Sequence, residues 1–288
     1  MRSNIDLTSP KEITEIILYA SIYASTLITA TKWLLPLSKI CNAPGYTKLK
    51  IKEEYHSRIP ASLIALFCSF HFLKNYLPLL IGFFTDYDWV KQTWIDYSIH
   101  IPDSELQFPG SGNIISKTQS LILKNVLAYM LVDLVWMLYY KYYDIPMFVH
   151  HSVVIYACFL GEPHANCFCG TAMELSNVLV QLRWYWKYYE LPKLHIVEII
   201  FACWYWFVRL IIGGFGSYLI FTAAEVTYQG LNWISTKWIC ALIMVLNLGF
   251  SFGVFQMLRK SIRRYRQGRG NGAVRQTDSD EADSDKND

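Results

Sequence analysis

Apolar residues along this chain fall into long runs separated by short polar or charged stretches. Seven of the runs approach the roughly 20 residues that carry a helix across about 30 Å of hydrocarbon. The predicted spans lie at about 13–36, 59–83, 115–140, 145–162, 168–186, 195–222 and 231–258. The third, fourth and fifth are joined by very short connections, so these helices are expected to be antiparallel neighbours. The fourth, at about 18 residues, is short enough to be tilted or partly submerged in protein. The pattern predicts an all-α, polytopic membrane protein of about seven transmembrane helices.

Composition agrees with that reading. The 288 residues are 53% hydrophobic and 16% aromatic but only 17% charged, with a mean hydropathy of +0.22, a profile foreign to an ordinary soluble domain. The first span follows a segment of mixed charge and lacks a small-residue cleavage site after it, so it reads as a signal anchor rather than a cleaved signal. Lysine and arginine concentrate after spans one, five and seven, with Lys141 after span three, while "TDYDWVKQTWIDYSIHIPDSEL" is acidic. By the positive-inside rule the N-terminus is outside and the C-terminus cytosolic. Trp33, Trp184, Trp186, Trp233 and Trp238 sit near predicted span ends, as interfacial anchors. Cys68, Cys158, Cys203 and Cys240 fall in apolar runs as small hydrophobes. His164, Cys167 and Cys169 offer three ligand types without a fourth, which is a poor zinc site. The tail turns from basic, "RKSIRRYRQGRG", to acidic, "TDSDEADSDKND"; it cannot bury a core and is expected to be disordered. Its basic part suits anionic lipid or serves as a topology determinant, and Ser279 and Ser284 are candidate phosphorylation sites. Nucleic acid is not an expected partner, because the basic stretch is short, tied to the membrane and followed by acid.

Polar side chains inside the spans carry the candidate chemistry, since an ionisable group within a membrane costs about 2.5–3.5 kcal/mol even on the lower scales. In span three Tyr129, Asp133, Trp136 and Tyr140 recur at helical spacing on one stripe. Span five aligns Glu174, Asn177 and Gln181. Span six aligns Glu198, Tyr205 and Arg209, and span two carries Arg58, Ser62 and Ser69, with His71 on another side. A ring of helices around a polar, aromatic-lined cavity satisfies all four stripes. Span four adds the adjacent pair His150 and His151. Neighbouring residues on a helix diverge by about 100°, so one imidazole is expected to face the cavity and the other a neighbouring helix, toward Asp133 or Glu174. The competing reading makes the histidines interhelical hydrogen-bonding groups with no further role. Arg209 is expected to partner Glu198 or a lipid phosphate.

The runs "YMLVDLVWMLYYKYYDIPMFVHHSVVIYACFLG", "GTAMELSNVLVQLRWYW" and "FVRL" resemble the TLC domain, shared by ceramide synthases, the translocon-associated TRAM proteins and smaller TLC-domain-containing proteins. The likeness rests on the order Asp133, His150 with His151, Glu174-Leu175-Ser176, Arg183-Trp184 and Arg209, with "EEYHSRIPAS" contributing Glu54, Ser57, Arg58 and Ser62. Two positions depart from the small TLC proteins: Ile64 stands where a His is usual, with His71 further along the same face, and Val180 stands where Asn is usual. The acidic residues and Lys-Met of the ceramide-synthase extension are missing, which places the chain nearer the small TLC proteins. The implied organisation is an N-terminal segment with an extra helix at 1–44, a six-helix TLC bundle at 45–262 and a tail at 263–288.

The resemblance implies residence in the endoplasmic-reticulum membrane, with the plasma membrane as the other compartment in view, and a part in lipid handling. One reading is lipid homeostasis by binding a lipid or fatty acyl chain. Another is acyl transfer from acyl-CoA, a cosubstrate rather than a covalently bound cofactor, with His150, His151, Asp133 and Glu174 as the catalytic set. Lipid contacts are then expected from Tyr129, Trp136, Tyr140, Asn177, Gln181, Arg183, Tyr205 and Arg209, with no metal. A cargo-receptor or translocation-accessory role is the third reading. Membrane lipids, acyl-CoA and a second copy of the chain are the partners in view.

Overall fold

The computed structural model describes residue 5 and residues 7–29, 49–86, 88–89, 117–139, 145–160, 163–189, 191–222 and 231–284. Tyr140, Trp33 and most of the acidic loop lie outside the described residues, as do the side chains of Glu54, Ser57, His164, Trp233, Ser279 and Ser284. The elements are α1 (Pro10–Thr29), α2 (Leu49–Asn75), α3 (Leu77–Thr85), α4 (Lys117–Tyr139), α5 (Ile145–Leu160), α6 (Pro163–Tyr188), α7 (Leu194–Trp206), a π-helical stretch (Phe207–Ile212), α8 (Gly213–Thr222) and α9 (Leu231–Ser284). The described residues are helical throughout apart from short connections, and contain no strand.

Among the described residues, three helical stretches are by themselves long and apolar enough to cross a membrane: Lys117–Tyr139, Leu194–Phe221 and Thr236–Arg263. Ile145–Phe159 is a shorter apolar helix; α5 as a whole has 16 residues, about 24 Å at 1.5 Å per residue, and so stops short of the full hydrocarbon thickness.

Two predicted spans are interrupted. Span two breaks at Tyr76 into α2 and α3, because Pro78 has no N–H to donate to the Lys74 carbonyl. In the last turn of α2, Asn75 Nδ2 also donates to the His71 carbonyl at 2.9 Å. Span six contains the π-helical stretch, whose wider turn holds Val208, Arg209 and Ile212 buried. The backbone of α9 continues helical to Ser284, where composition predicts a disordered tail.

The helices close a ring in the order α4, α5, α9, α7, α6, α2 and back to α4, with α6 also touching α4 and α5. This is the six-helix bundle expected from the polar stripes. At one end it is solid. Phe168, fully buried on α6, lies 5.7 Å from Phe72, 5.4 Å from Tyr76 and 6.1 Å from Phe215, ring centre to ring centre. Gly216 on α8 fits against that ring so closely that a Cβ would lie 2.6 Å from Phe168 Cε1.

Helix α1 packs on the outside of the ring, against α4 and α2. Its position, which the uneven polarity of span one leaves open, is decided by a charged contact. Lys124 Nζ, within α4, reaches Glu15 Oε2 at 2.6 Å and Glu12 Oε1 at 3.7 Å, and both Lys124 and Glu12 are buried. Tyr23 Oη adds a 3.3 Å bond to Asn125 Oδ1. A lysine in the middle of a lipid-facing helix needs such partners, since removing one side of a buried pair strands the other charge.

Two stability effects are expected. Replacing Gly216 by Ala drives a Cβ into the Phe168 ring, and overpacking of about 1–3 kcal/mol outweighs the helix propensity gained, so thermal unfolding in detergent shifts to lower temperature. Lys124→Met leaves Glu12 buried without its cation. It should cost about 3 kcal/mol and expose α1 to limited proteolysis before the rest of the bundle.

A cavity lined by the histidine pair

Opposite the aromatic end, the ring is hollow. A cavity of about 440 Å³ lies between α2, α4, α5, α6, α7 and α9. It sits toward the start of α2 and α5 and the end of α4, α6 and α7, the end of the bundle expected from the lysine and arginine pattern to be cytosolic.

Each polar stripe contributes to its wall. From α4 come Tyr129, Asp133 and Trp136; from α6, Glu174, Asn177, Gln181 and Arg183; from α7 and the π-helical stretch, Tyr205 and Arg209. His150 and His151 line it too. Of the twelve site residues expected from the sequence, eleven border this one space, and Tyr140 lies outside the described residues.

The histidines correct one expectation. They diverge as adjacent helical residues must, His151 toward α4 and His150 toward α9, yet the cavity is broad enough that both rings border it. His151 Nδ1 lies 3.5 Å from Asp133 Oδ2, an ion-pair distance rather than a short hydrogen bond, and its ring meets Tyr129 edge-on at 6.5 Å. His150 meets Phe250 of α9 edge-on at 6.3 Å, and the two imidazole centres are 5.7 Å apart. Both rings are nearly excluded from the outer surface, at 9% and 3% exposure.

The arginines also pair differently from expectation. Arg209 has a neighbour set of neutral acceptors: Nε donates to Ser176 Oγ at 2.9 Å, Nη1 to Asn247 Oδ1 at 3.0 Å and Nη2 to Asn177 Oδ1 at 3.2 Å. Its guanidinium also stands 5.4 Å from the Tyr205 ring centre. Glu198 belongs instead to Arg183, whose Nη2 and Nε donate to one carboxylate oxygen at 2.9 and 3.2 Å. Eleven residues at about 1.5 Å of rise each put Arg209 roughly 16 Å along the helix from Glu198, beyond the reach of the two side chains, whereas Arg183 comes to Glu198 from the neighbouring α6. Asn177 passes the network on, its Nδ2 donating to Glu174 Oε2 at 2.9 Å.

Several wall residues escaped the sequence reading of the site. Phe250, Gly253, Val254 and Met257 bring α9 into the wall, and Met130, Met137 and Met147 add three further thioethers beside Phe201. The signal in span seven is slight: Asn247 and Ser251, four residues apart, interleaved with Gly249 and Gly253. Arg58, read from the sequence as part of the span-two polar stripe, also borders the cavity. The wall thus joins carboxylates, imidazoles and amides to a flexible, sulfur-rich apolar surface.

Residues 50–259 match the TLC domain. Comparison with curated proteins finds no match to the chain. The matched stretch runs from the first turns of α2 into α9 and takes in all six helices of the ring together with the cavity between them. With that much of its length matched, the chain belongs to the TLC-domain family, a family of lipid-related membrane proteins.

Proposed function

We propose that this protein takes one lipid or fatty acyl chain into the intramembrane cavity and acts in membrane lipid homeostasis by holding it. The observation that carries the reading is the composition of one continuous wall: His150, His151, Asp133 and Glu174 beside Met130, Met137, Met147, Phe250, Val254 and Met257. That is the surface an amphiphile needs, polar for a head and apolar for a chain. A volume of about 440 Å³ falls within the range of about 300–1,000 Å³ common to small-molecule sites. The endoplasmic-reticulum membrane is proposed on the likeness to small TLC proteins, and the cytosolic C-terminus on the lysine and arginine pattern.

A second reading has its own support in the contact between His151 and Asp133. A carboxylate at Nδ1 orients the ring and leaves Nε2 as the basic nitrogen. In acyl transfer from acyl-CoA, that nitrogen takes the proton of an amine or hydroxyl acceptor as the new amide or ester bond forms, and CoA leaves as the thiol. Removing such a base lowers turnover by about 10²- to 10⁴-fold.

Gly253 supplies the cleanest test of binding. A Cβ there meets nothing within 4 Å, so a larger side chain enters empty space. Gly253→Leu is expected to fold with unchanged or raised thermal stability, since Leu is the better helix former, while lipid co-purifying with the protein falls sharply. Unchanged lipid content by mass spectrometry would sink the binding reading. The His150→Ala/His151→Ala double variant separates the two readings. If purified wild type forms product from acyl-CoA and the variant does not, the protein is a transferase; if wild type forms none but retains lipid, it is a binder.

A further inference from the structure

We infer that Arg58 is the receptor for an acidic head group, so that the guest in the cavity is an amphiphile carrying a carboxylate or phosphate. The inference rests on the reading of the cavity as a lipid site and specifies its ligand. Three arginines border the space, and they differ in what remains of their hydrogen-bonding capacity. Arg209 spends Nε, Nη1 and Nη2 on Ser176, Asn247 and Asn177. Arg183 is neutralised by Glu198. Both are held by the protein itself.

Arg58 is not. Among the described residues its one hydrogen bond runs from Nη1 to Gln181 Oε1 at 3.5 Å, the outer limit for such a contact, and its buried Nε has no acceptor. The guanidinium lies 5.6 Å from the Trp184 ring centre, which holds it in place without using its donors. Asp133 in the wall feels the Arg58 charge, but among the described residues it forms no ion pair with Arg58 and lies 3.5 Å from His151 Nδ1. A guanidinium with open donors facing a water-poor hollow is complementary to two oxygens of one acid group, which it can take as a pair. An alcohol or an ester carbonyl offers no matching charge.

Binding of palmitate, hexadecyl phosphate and hexadecanol to the full chain in nanodiscs tests this. Wild type should bind at least one of the two acids about tenfold or more tightly than hexadecanol, and whichever acid leads identifies the source as a free fatty acid or a phosphate head. Arg58→Gln should erase the preference while hexadecanol binds as before, which also shows that the cavity is intact. Arg58→Lys, keeping the charge but not the fork, should retain part of the preference. Equal binding of all three by wild type, or a preference that survives Arg58→Gln, overturns the assignment while leaving the cavity a lipid site. Binding of none of the three overturns both. Should Arg58→Gln fail to fold, the wild-type comparison of acid with alcohol still decides.

Discussion

A guanidinium inside a lipid-embedded bundle has to find its acceptors within the protein, and the placement of Arg209 organises much of this structure. Its three bonds reach Ser176 and Asn177 on α6 and Asn247 on α9. One side chain therefore ties three elements of the ring together. Because all three acceptors are neutral, the charge is solvated without being cancelled, and Asn177 turns its amide nitrogen to Glu174. The arginine and the glutamate are thus linked through an amide rather than joined as a salt bridge, and both remain on the cavity wall. A direct pair would have drawn the two helices together at that level.

The contrast between the two ends of the ring follows from what the same helices carry at different heights. Toward the start of α6 the facing side chains are Phe168, Phe72, Tyr76 and Phe215, whose rings pack against one another. Toward its end α6 offers Glu174, Asn177, Gln181 and Arg183, which are held by bonds at their tips and do not interdigitate. Glycine at position 253 withholds a side chain from the same region. Packing at one end and polar spacing at the other give a rigid floor beneath an open chamber, an arrangement suited to holding a guest at a defined depth.

Peripheral charges follow the same rule in miniature. Lys124 sits on the side of α4 that faces out of the ring, and its presence is tolerable only because α1 brings Glu12 and Glu15 to it. The N-terminal helix is in that sense part of the fold, although the match to the TLC domain begins after it, at residue 50.

The sequence by itself determined the helical class, the approximate spans and the convergence of the polar stripes, because helical periodicity and the cost of polar groups in lipid are local and general constraints. Asp133, Glu174, the histidine pair and the amides of α6 could be placed on one wall for that reason. Tertiary structure decided the partners. Arg183 rather than Arg209 holds Glu198, because the fold packs α6 beside α7 while Arg209 stands three turns along the same helix as Glu198, out of its reach. Pro78 was visible, but that it ends one helix and starts another depends on how the flanking residues pack. The contribution of α9 was hidden because an apolar span has no stripe to read, and only its neighbours determine which of its faces meets lipid and which meets the cavity. Arg58, legible in the sequence as one member of a polar stripe, is set apart in the fold by a buried Nε that has no acceptor among the described residues.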